Sequence, residues 1–382
     1  MSRYRWTILA LGTSAQAAYS ATFLGIPVLA PALRAEYGLT LPQVGLVIAT
    51  ANLGSVATLL PWGLLADRVG ERFVLAAGLT GAALALTGAA FAPSFGVLVL
   101  ALTAAGASGA SVNAASGRAV MGWFGSGERG FALGIRQTAV PIGGFVVALI
   151  LPPIVEAWGV RGGLLALALG CFSTATAGLV ALREAPPSHD ELQDVTHPLR
   201  DGRIWRLSVG SAFVIAAQAS ILGFVVLFLH GERGLSTAAA AGVFALMQVF
   251  GAALRIGAGR WSDHVRARIA PLRQLCFALA VALLATAVLT GAPLALLLPT
   301  LVVAGALSLS WNGLSFTAAA ELAGRARSGA AIGFQQTALS VSYAATAPVF
   351  AAVVDAGSWR LGFALAALMP LAGAATLRRL VL

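Results

Sequence analysis

Three arginines that lie inside long apolar runs are the residues of this chain most suited to chemistry: Arg118, Arg136 and Arg255. A charged side chain is costly in hydrocarbon, so each should face a water-filled cavity or a polar partner. A guanidinium offers a planar fork of donors that suits carboxylate or nitrate oxygens. The three arginines therefore indicate anion binding, and structural contacts to carbonyls or acids are the alternative.

Arg255 lies eight residues before Asp263, which places it roughly 12 Å inside a helix end at about 1.5 Å per residue. We predict that it contacts substrate, with a structural role satisfied by carbonyls or an acid as the alternative. Arg136 directly precedes Gln137 and Thr138. These three neighbouring polar side chains either line a cavity or bridge helices.

Other polar side chains within the apolar runs complete the predicted cavity. Amides in membrane helices either contact substrate or hydrogen-bond between helices. Besides the arginines, the predicted substrate-binding residues are Gln137, Asn113, Asn312, Gln336, Gln335, Gln248, Tyr19, Gln218, Trp311 and Tyr343, with Gln16 and Asn52 as further lining.

Acidic residues and histidines avoid the centres of the runs. All fourteen acids fall near the ends of runs or in one polar segment, whereas proton-driven transporters usually carry a titratable group in the pathway. The pattern favours uniport or exchange over proton coupling. The sequence has no metal-ligand spacing, HExxH or intramembrane Asp pair, so we predict no metal, no cofactor and no enzyme or sensor function.

The elements that must position these residues are membrane helices. Of 382 residues, 59% are hydrophobic and 10% are charged, against about 25% charged in soluble domains. Runs of about 20 to 30 residues can cross a bilayer as tilted helices. We predict an all-α polytopic membrane protein with twelve such runs, at 6–33, 41–65, 73–92, 95–124, 130–157, 162–182, 205–230, 236–261, 271–291, 294–320, 329–354 and 360–379.

The polar segment 183–204 separates two predicted six-helix bundles, 1–182 and 205–382. If both termini are cytoplasmic, seventeen arginines lie on that side and four outside, as the positive-inside rule requires. The net charge of +10 therefore reflects topology, and we predict a lipid bilayer as partner and no nucleic acid. The expected form is a monomer in a bacterial cytoplasmic membrane.

A hydrophilic loop motif repeats in the two halves. Gly63 is followed four residues later by Asp67 and then by further cations, and Gly259 and Asp263 recur 196 residues on (259 − 63). The motif resembles the loop signature of the major facilitator superfamily of secondary transporters. There it joins the second and third helices on the cytoplasmic side. The predicted gating residues are Gly63, Asp67, Arg68, Gly70, Arg72, Gly259, Asp263 and Arg118.

The resemblance implies how the two aspartates act. Asp67 is expected at the N-terminus of the eleventh helix near Gly329, and Asp263 at that of the fifth near Gly130, where helix dipoles favour a carboxylate. Arg118 is expected either to cap its helix or to pair with Asp67. These contacts would stabilise the state closed to the cytoplasm.

A second repeat supports internal duplication. Asn113 and Asn312 are separated by 199 residues (312 − 113), and the same offset relates Gly130, Gly134, Gln137, Thr138, Glu156 and Arg161 to Gly329, Gly333, Gln336, Thr337, Asp355 and Arg360. Pairs of Gly four residues apart allow helices to approach closely. Transporters built from repeats work by alternating access, and this is the predicted mechanism.

The substrate class rests on Arg255. Its place on the eighth helix is similar to that of the anion-binding Arg of monocarboxylate, oxalate and nitrate porters. This chain has Gly251 where monocarboxylate porters have Asp, and Leu59 where nitrate porters have Arg. Oxalate porters also use a Lys on the eleventh helix, and this chain has no Lys. We predict a small anion, with a carboxylate favoured. The alternative is efflux of amphipathic or cationic drugs, which the aliphatic lining and compact loops favour. Pro141, Gly143 and Gly144 are similar to an element of antiporter efflux pumps, and we interpret them as residues for helix bending and packing.

Overall fold

The computed structural model describes residues 4–124, 128–183, 201–324 and 328–380. Within these ranges it does not describe the side chains at 67, 114, 118, 121, 129–131, 133, 328 and 329. The predicted contacts of Asp67 and Arg118, and the side chains at the helix starts near Gly130 and Gly329, therefore lie outside the described residues. Most of the predicted linker, 184–200, does so as well.

The described residues form helices and no strand. In chain order the helices are α1 (Tyr4–Tyr37), α2 (Leu41–Val69), α3 (Glu71–Ala90), α4 (Phe95–Gly109), α5 (Ser111–Trp123), α6 (Arg129–Gln137), α7 (Ala139–Ala181), α8 (Gly202–Gly231), α9 (Thr237–His264), α10 (Ile269–Val288), α11 (Leu294–Ser310), α12 (Asn312–Ala323), α13 (Ser328–Ala356) and α14 (Trp359–Leu377).

Eleven stretches of the described chain are long and apolar enough to cross a membrane. One of them, Gly134–Ala181, has 48 residues, about twice the length that a span needs. It contains the fifth and sixth predicted spans, which meet at Gly159, so the stretches account for twelve passes. The predicted all-α fold with twelve transmembrane helices is confirmed.

Three spans that the sequence predicted as continuous helices are interrupted. The fourth divides into α4 and α5 at Ala110, the fifth into α6 and α7 at Thr138, and the tenth into α11 and α12 at Trp311. At the fifth span the cause is Pro141, which has no N–H to donate to the carbonyl four residues back. The bend at Pro141 was predicted from the sequence, whereas the breaks at Ala110 and Trp311 were not, because hydropathy does not register a local break.

The chain folds as two compact units, the first made of Met1–Thr40 and Leu46–Asp190 and the second of Leu41–Gly45 and Glu191–Leu382. In the first unit α7 packs against α1 and α3, and in the second α14 packs against α8 and α10. The bundle boundaries predicted around 183–204 stay a prediction, since most of that segment is not described.

Close helix contacts explain two glycines. A Cβ on Gly143 of α7 would lie 2.6 Å from the Ala17 carbonyl oxygen of α1, and one on Gly305 of α11 would lie 2.4 Å from Met247 Sδ of α9. Both distances are shorter than any real Cβ contact. The contact of Gly143 is with backbone, so α7 and α1 approach as they do only because residue 143 is glycine, whereas a side chain at 305 would have to displace that of Met247.

Gly159 supplies a testable backbone requirement. Its φ is 65° and its ψ is −171°, a combination that is essentially restricted to glycine, and no heavy atom of the described residues lies within 4 Å of a Cβ built on it. An added methyl therefore meets only a backbone penalty of about 1–3 kcal/mol. We expect Gly159→Ala to lower the melting temperature, read by tryptophan fluorescence. Gly170→Ala, in the same helix with equally open space, is the matched control and should not lower it. Equal melting temperatures would show that this turn is not strained.

Candidate functional site

Arg136 is the only charged side chain among the described residues that is buried, with 7% of its surface exposed. It lies on the last turn of α6, just before the break that Pro141 causes. Its Nε donates to Ser116 Oγ (2.9 Å), and its Nη2 donates to Gln16 Oε1 (2.6 Å) and, at a longer 3.5 Å, to the Val112 carbonyl oxygen. All three acceptors are neutral, so they orient the guanidinium without compensating its charge.

The acceptors of Arg136 are themselves held in place. Gln16 Nε2 lies 3.5 Å from Ser20 Oγ on the same helix, and Ser116 Oγ donates to the Val112 carbonyl oxygen at 2.5 Å. The guanidinium is therefore fixed between α1, α5 and α6. Buried polar networks of this kind are rigid when their members are satisfied.

Arg255 lies on α9 and is half-buried. Its Nε donates to the Leu309 carbonyl oxygen at 3.0 Å, in the last turn of α11. That turn ends at the break at Trp311, where carbonyls are no longer all used within the helix. This contact supports the alternative that Arg255 has a structural role, in which a carbonyl oxygen satisfies its guanidinium. Its substrate-binding role stays a prediction.

The second unit contains a neutral counterpart of the Arg136 cluster. Gln335 Nε2 donates to Ser315 Oγ (2.5 Å) and Ser211 Oγ (3.1 Å), and the two hydroxyls lie 2.6 Å apart. All three residues are fully buried. Gln335 and Ser315 follow Arg136 and Ser116 by 199 residues (335 − 136 and 315 − 116), so an amide stands where the first unit has a guanidinium.

The other predicted binding residues do not join these clusters through any hydrogen bond described between them. Trp311 Nε1 donates to Gln218 Oε1 (3.2 Å) and to the Ser308 carbonyl oxygen (2.9 Å), and Tyr19 Oη lies 2.5 Å from Ser55 Oγ. Gln248 is fully buried and neither amide atom has a partner in the described part of the chain. The half-buried residues are Asn52, Asn113, Gln137, Asn312 and Gln336, and Tyr343 is buried.

The gating residues can be followed in part. Gly70 separates α2 from α3 with φ at 85°, a conformation that favours glycine. Arg72 Nε donates to the Leu179 carbonyl oxygen at 2.6 Å. Arg68 is exposed, and nothing lies near a Cβ built on Gly63 or Gly259. The gating roles themselves remain predictions.

Arg268, in the loop between α9 and α10, binds two acids. It donates to Asp263 Oδ1 (2.5 Å) and to Glu321 Oε1 (3.0 Å). Desolvation opposes the charged form, but these acids outweigh it and raise the pKa of Arg268 above its ordinary value. The sequence analysis named Asp263 as a gating residue but did not predict that Arg268 pairs with Asp263 and Glu321, because no spacing rule connects them.

The sequence analysis also missed Ser116, Ser211 and Ser315, the hydroxyl partners of Arg136 and Gln335. A serine in an apolar run gives no hydropathy signal. The 199-residue offset was the available signal, because it relates Ser116 to Ser315 as it relates the two asparagines.

The contact between Gln16 and Arg136 can be tested by substitution. Gln16→Leu keeps the size of the side chain but removes the acceptor of a buried charged donor, which should destabilise the protein by about 1–3 kcal/mol. The matched control is Gln218→Leu, which removes one acceptor of the neutral Trp311 Nε1 and leaves the Ser308 carbonyl oxygen. We expect the larger fall in melting temperature for Gln16→Leu. A larger fall for Gln218→Leu would contradict the assignment.

Comparison with solved structures supports the fold. A crystal structure of a bacterial homologue of the human lysosomal transporter Spinster superposes with a TM-score of 0.81, covering 99% of this chain and 97% of that one. The sequences are 16% identical, so this likeness concerns the fold alone.

Comparison with known sequences gives relatives over most of the chain. An uncharacterised MFS-type transporter of Mycobacterium tuberculosis is 32% identical over 96% of this chain and 83% of its own length. A probable nitrate/nitrite antiporter of Thermus thermophilus is 30% identical over 75% of this chain and 66% of its own. A probable sulfoacetate transporter of Cupriavidus necator is 32% identical over 47% of this chain and 43% of its own.

The family profile described as Major Facilitator Superfamily matches residues 11–345. This match covers most of the chain and agrees with the loop motif, the internal repeat and the twelve spans. The chain is a multi-pass membrane protein and belongs to the major facilitator superfamily of transporters.

Proposed function

We propose that this transporter carries a small anion, with a carboxylate or similar oxyanion favoured, by alternating access in uniport or exchange. The observation that carries the proposal is Arg136, a buried cation whose acceptors among the described residues are all neutral. In an interior of low dielectric an uncompensated charge is unfavourable. An anion that enters the site supplies the missing negative charge.

The distribution of acids supports the same proposal. No acidic side chain that the structure describes is buried. The described interior therefore holds a cation with no carboxylate of the protein to compete with an incoming anion. A guanidinium and an oxyanion also form charge-assisted hydrogen bonds, which are stronger than neutral ones.

The substrates for which two relatives are named also support an anion. The Thermus protein is named for nitrate and nitrite and the Cupriavidus protein for sulfoacetate, and all three are small oxyanions. The name antiporter supports exchange. We propose Arg255 as a second residue that contacts the anion. We also propose that the protein is a monomer in a bacterial cytoplasmic membrane, with both termini in the cytoplasm.

The efflux alternative is less well supported. One signal for it was the similarity of Pro141, Gly143 and Gly144 to an element of efflux pumps, and Gly143 packs against the Ala17 carbonyl oxygen of α1. Helix packing is a sufficient reason for that glycine.

A thermal-shift screen of the purified protein tests the anion class. The probes are nitrate, sulfoacetate, simple mono- and dicarboxylates and lipophilic cations, followed by tryptophan fluorescence. An anion at about 100 times its dissociation constant should add about 2.7 kcal/mol to the stability of the bound state. We expect this stabilisation in wild type, its loss in Arg136→Gln, and a reduction in Arg255→Ala.

Arg161→Gln is the control for loss of a positive charge, because Arg161 is exposed and lies over the Phe91 ring. It should keep the anion response. Stabilisation by lipophilic cations alone would overturn the anion class and favour efflux. An anion response that survives Arg136→Gln would remove Arg136 from the site.

No described acid is buried, so we predict separately that transport is not coupled to protons. In proteoliposomes loaded with the stabilising anion, exchange should proceed at the same rate with and without an imposed pH gradient. Nitrate is the best probe if it binds, because it does not titrate near neutral pH. A rate that follows the gradient would show that a proton moves with the anion.

A further inference from the structure

The guanidinium of Arg136 has one end without a protein partner among the described residues. Nε and Nη2 donate to Ser116 Oγ and Gln16 Oε1, whereas Nη1 donates to none of them. The side chain is more than nine-tenths buried. An unused, charged donor on a buried and fixed side chain is an opening for an acceptor from outside the protein.

Gly117 is the residue beside that end. A Cβ built on it would lie 3.9 Å from Arg136 Cζ and 4.0 Å from Nη1, with no other heavy atom of the described residues within 4 Å. These are ordinary van der Waals distances, so the backbone does not require glycine here. Because residue 117 has no side chain, it does not occupy the space next to Nη1.

The second unit differs at both positions. Residue 316, which follows Gly117 by 199 residues (316 − 117), is Phe316, and Gln335 stands in the place of Arg136. The second unit thus combines the large side chain of Phe316 with the neutral amide of Gln335, whereas the first unit combines a glycine with the cation Arg136. The pairing of Gly117 with Arg136 belongs to the first unit alone.

The geometry points to an oxyanion site at the Nη1 end of Arg136, kept open by Gly117, which thereby sets the size of the group that binds. The inference rests on the proposed function and adds to it the contacting atom and a specificity-determining residue. Since Nε and Nη2 are already bound on one edge, a single carboxylate, nitrate or sulfonate group fits the remaining end. Gly117 acts by leaving space and makes no polar contact itself.

Side chains of graded size at position 117 test this site. Gly117→Ala should weaken binding of the anion found in the screen about tenfold, and Gly117→Leu about a hundredfold or more, in line with the effect of one or more methylenes in a fitted site. Alanine is also the better helix former, so the first variant should fold. The controls are Gly88→Ala and Gly88→Leu on α3, where an added Cβ meets nothing within 4 Å; both should bind as wild type.

A labelling experiment tests the same space without relying on affinity. Gly117→Cys should react with an anionic methanethiosulfonate reagent, and the bound anion should slow that reaction. The native Cys171 and Cys276 are buried, so wild type provides the background. Protection by the anion, lost when Arg136→Gln is added, supports the site.

The outcomes separate the two proposals. If no anion stabilises wild type, the proposed function is wrong. If Arg136→Gln keeps anion binding, the anion class stands and the site at Nη1 of Arg136 is wrong. If Arg136→Gln loses binding while both Gly117 variants bind as wild type, or if the anion does not protect Gly117→Cys, the site at Nη1 is wrong and the proposed function stands.

Discussion

The constraint on which the rest of the structure depends is a positive charge held away from water. Arg136 is kept in a membrane interior by Gln16, Ser116 and the Val112 carbonyl oxygen, three neutral acceptors from two helices. None of these groups can be moved far without leaving a buried charged donor unpaired, which is among the costlier defects in a protein. The packing of α1, α5 and α6 must therefore satisfy this side chain as well as the apolar residues around it.

A break in a helix makes one contact of this kind possible. A continuous helix uses its carbonyls internally, whereas a break leaves the carbonyls that precede it for other donors. Leu309, whose carbonyl oxygen binds Arg255, lies just before the break at Trp311, whereas Val112 lies just after the break at Ala110, where the break frees N–H groups instead. Ala110 and Leu309 are 199 residues apart (309 − 110). The duplication thus placed an interruption at nearly the same point of both units.

The fold could be predicted from the sequence because lipid leaves few choices: a long apolar run must satisfy its backbone as a helix. The spans and the turn near Gly159 follow from that rule, and the constant 199-residue offset indicates the repeat. The site could be predicted only in part. Arg136 and Gln16 stand out as polar residues in apolar runs, but Ser116 does not, since a membrane serine usually bonds to its own helix. Pro141 was visible, yet its effect on the carbonyl of Gln137 depends on the local backbone.

The choice of neutral acceptors has a consequence for the transport cycle. Had an Asp or Glu stood at position 116, the pair would carry no net charge and would attract anions weakly, as buried ion pairs are already compensated. At the proposed site, Ser116 leaves the charge of Arg136 uncompensated when the site is empty, and a bound anion compensates it. A conformational change that closes the empty site off from water then costs more than one that closes off the loaded site. This difference favours exchange of one anion for another over uniport, which requires the empty carrier to return.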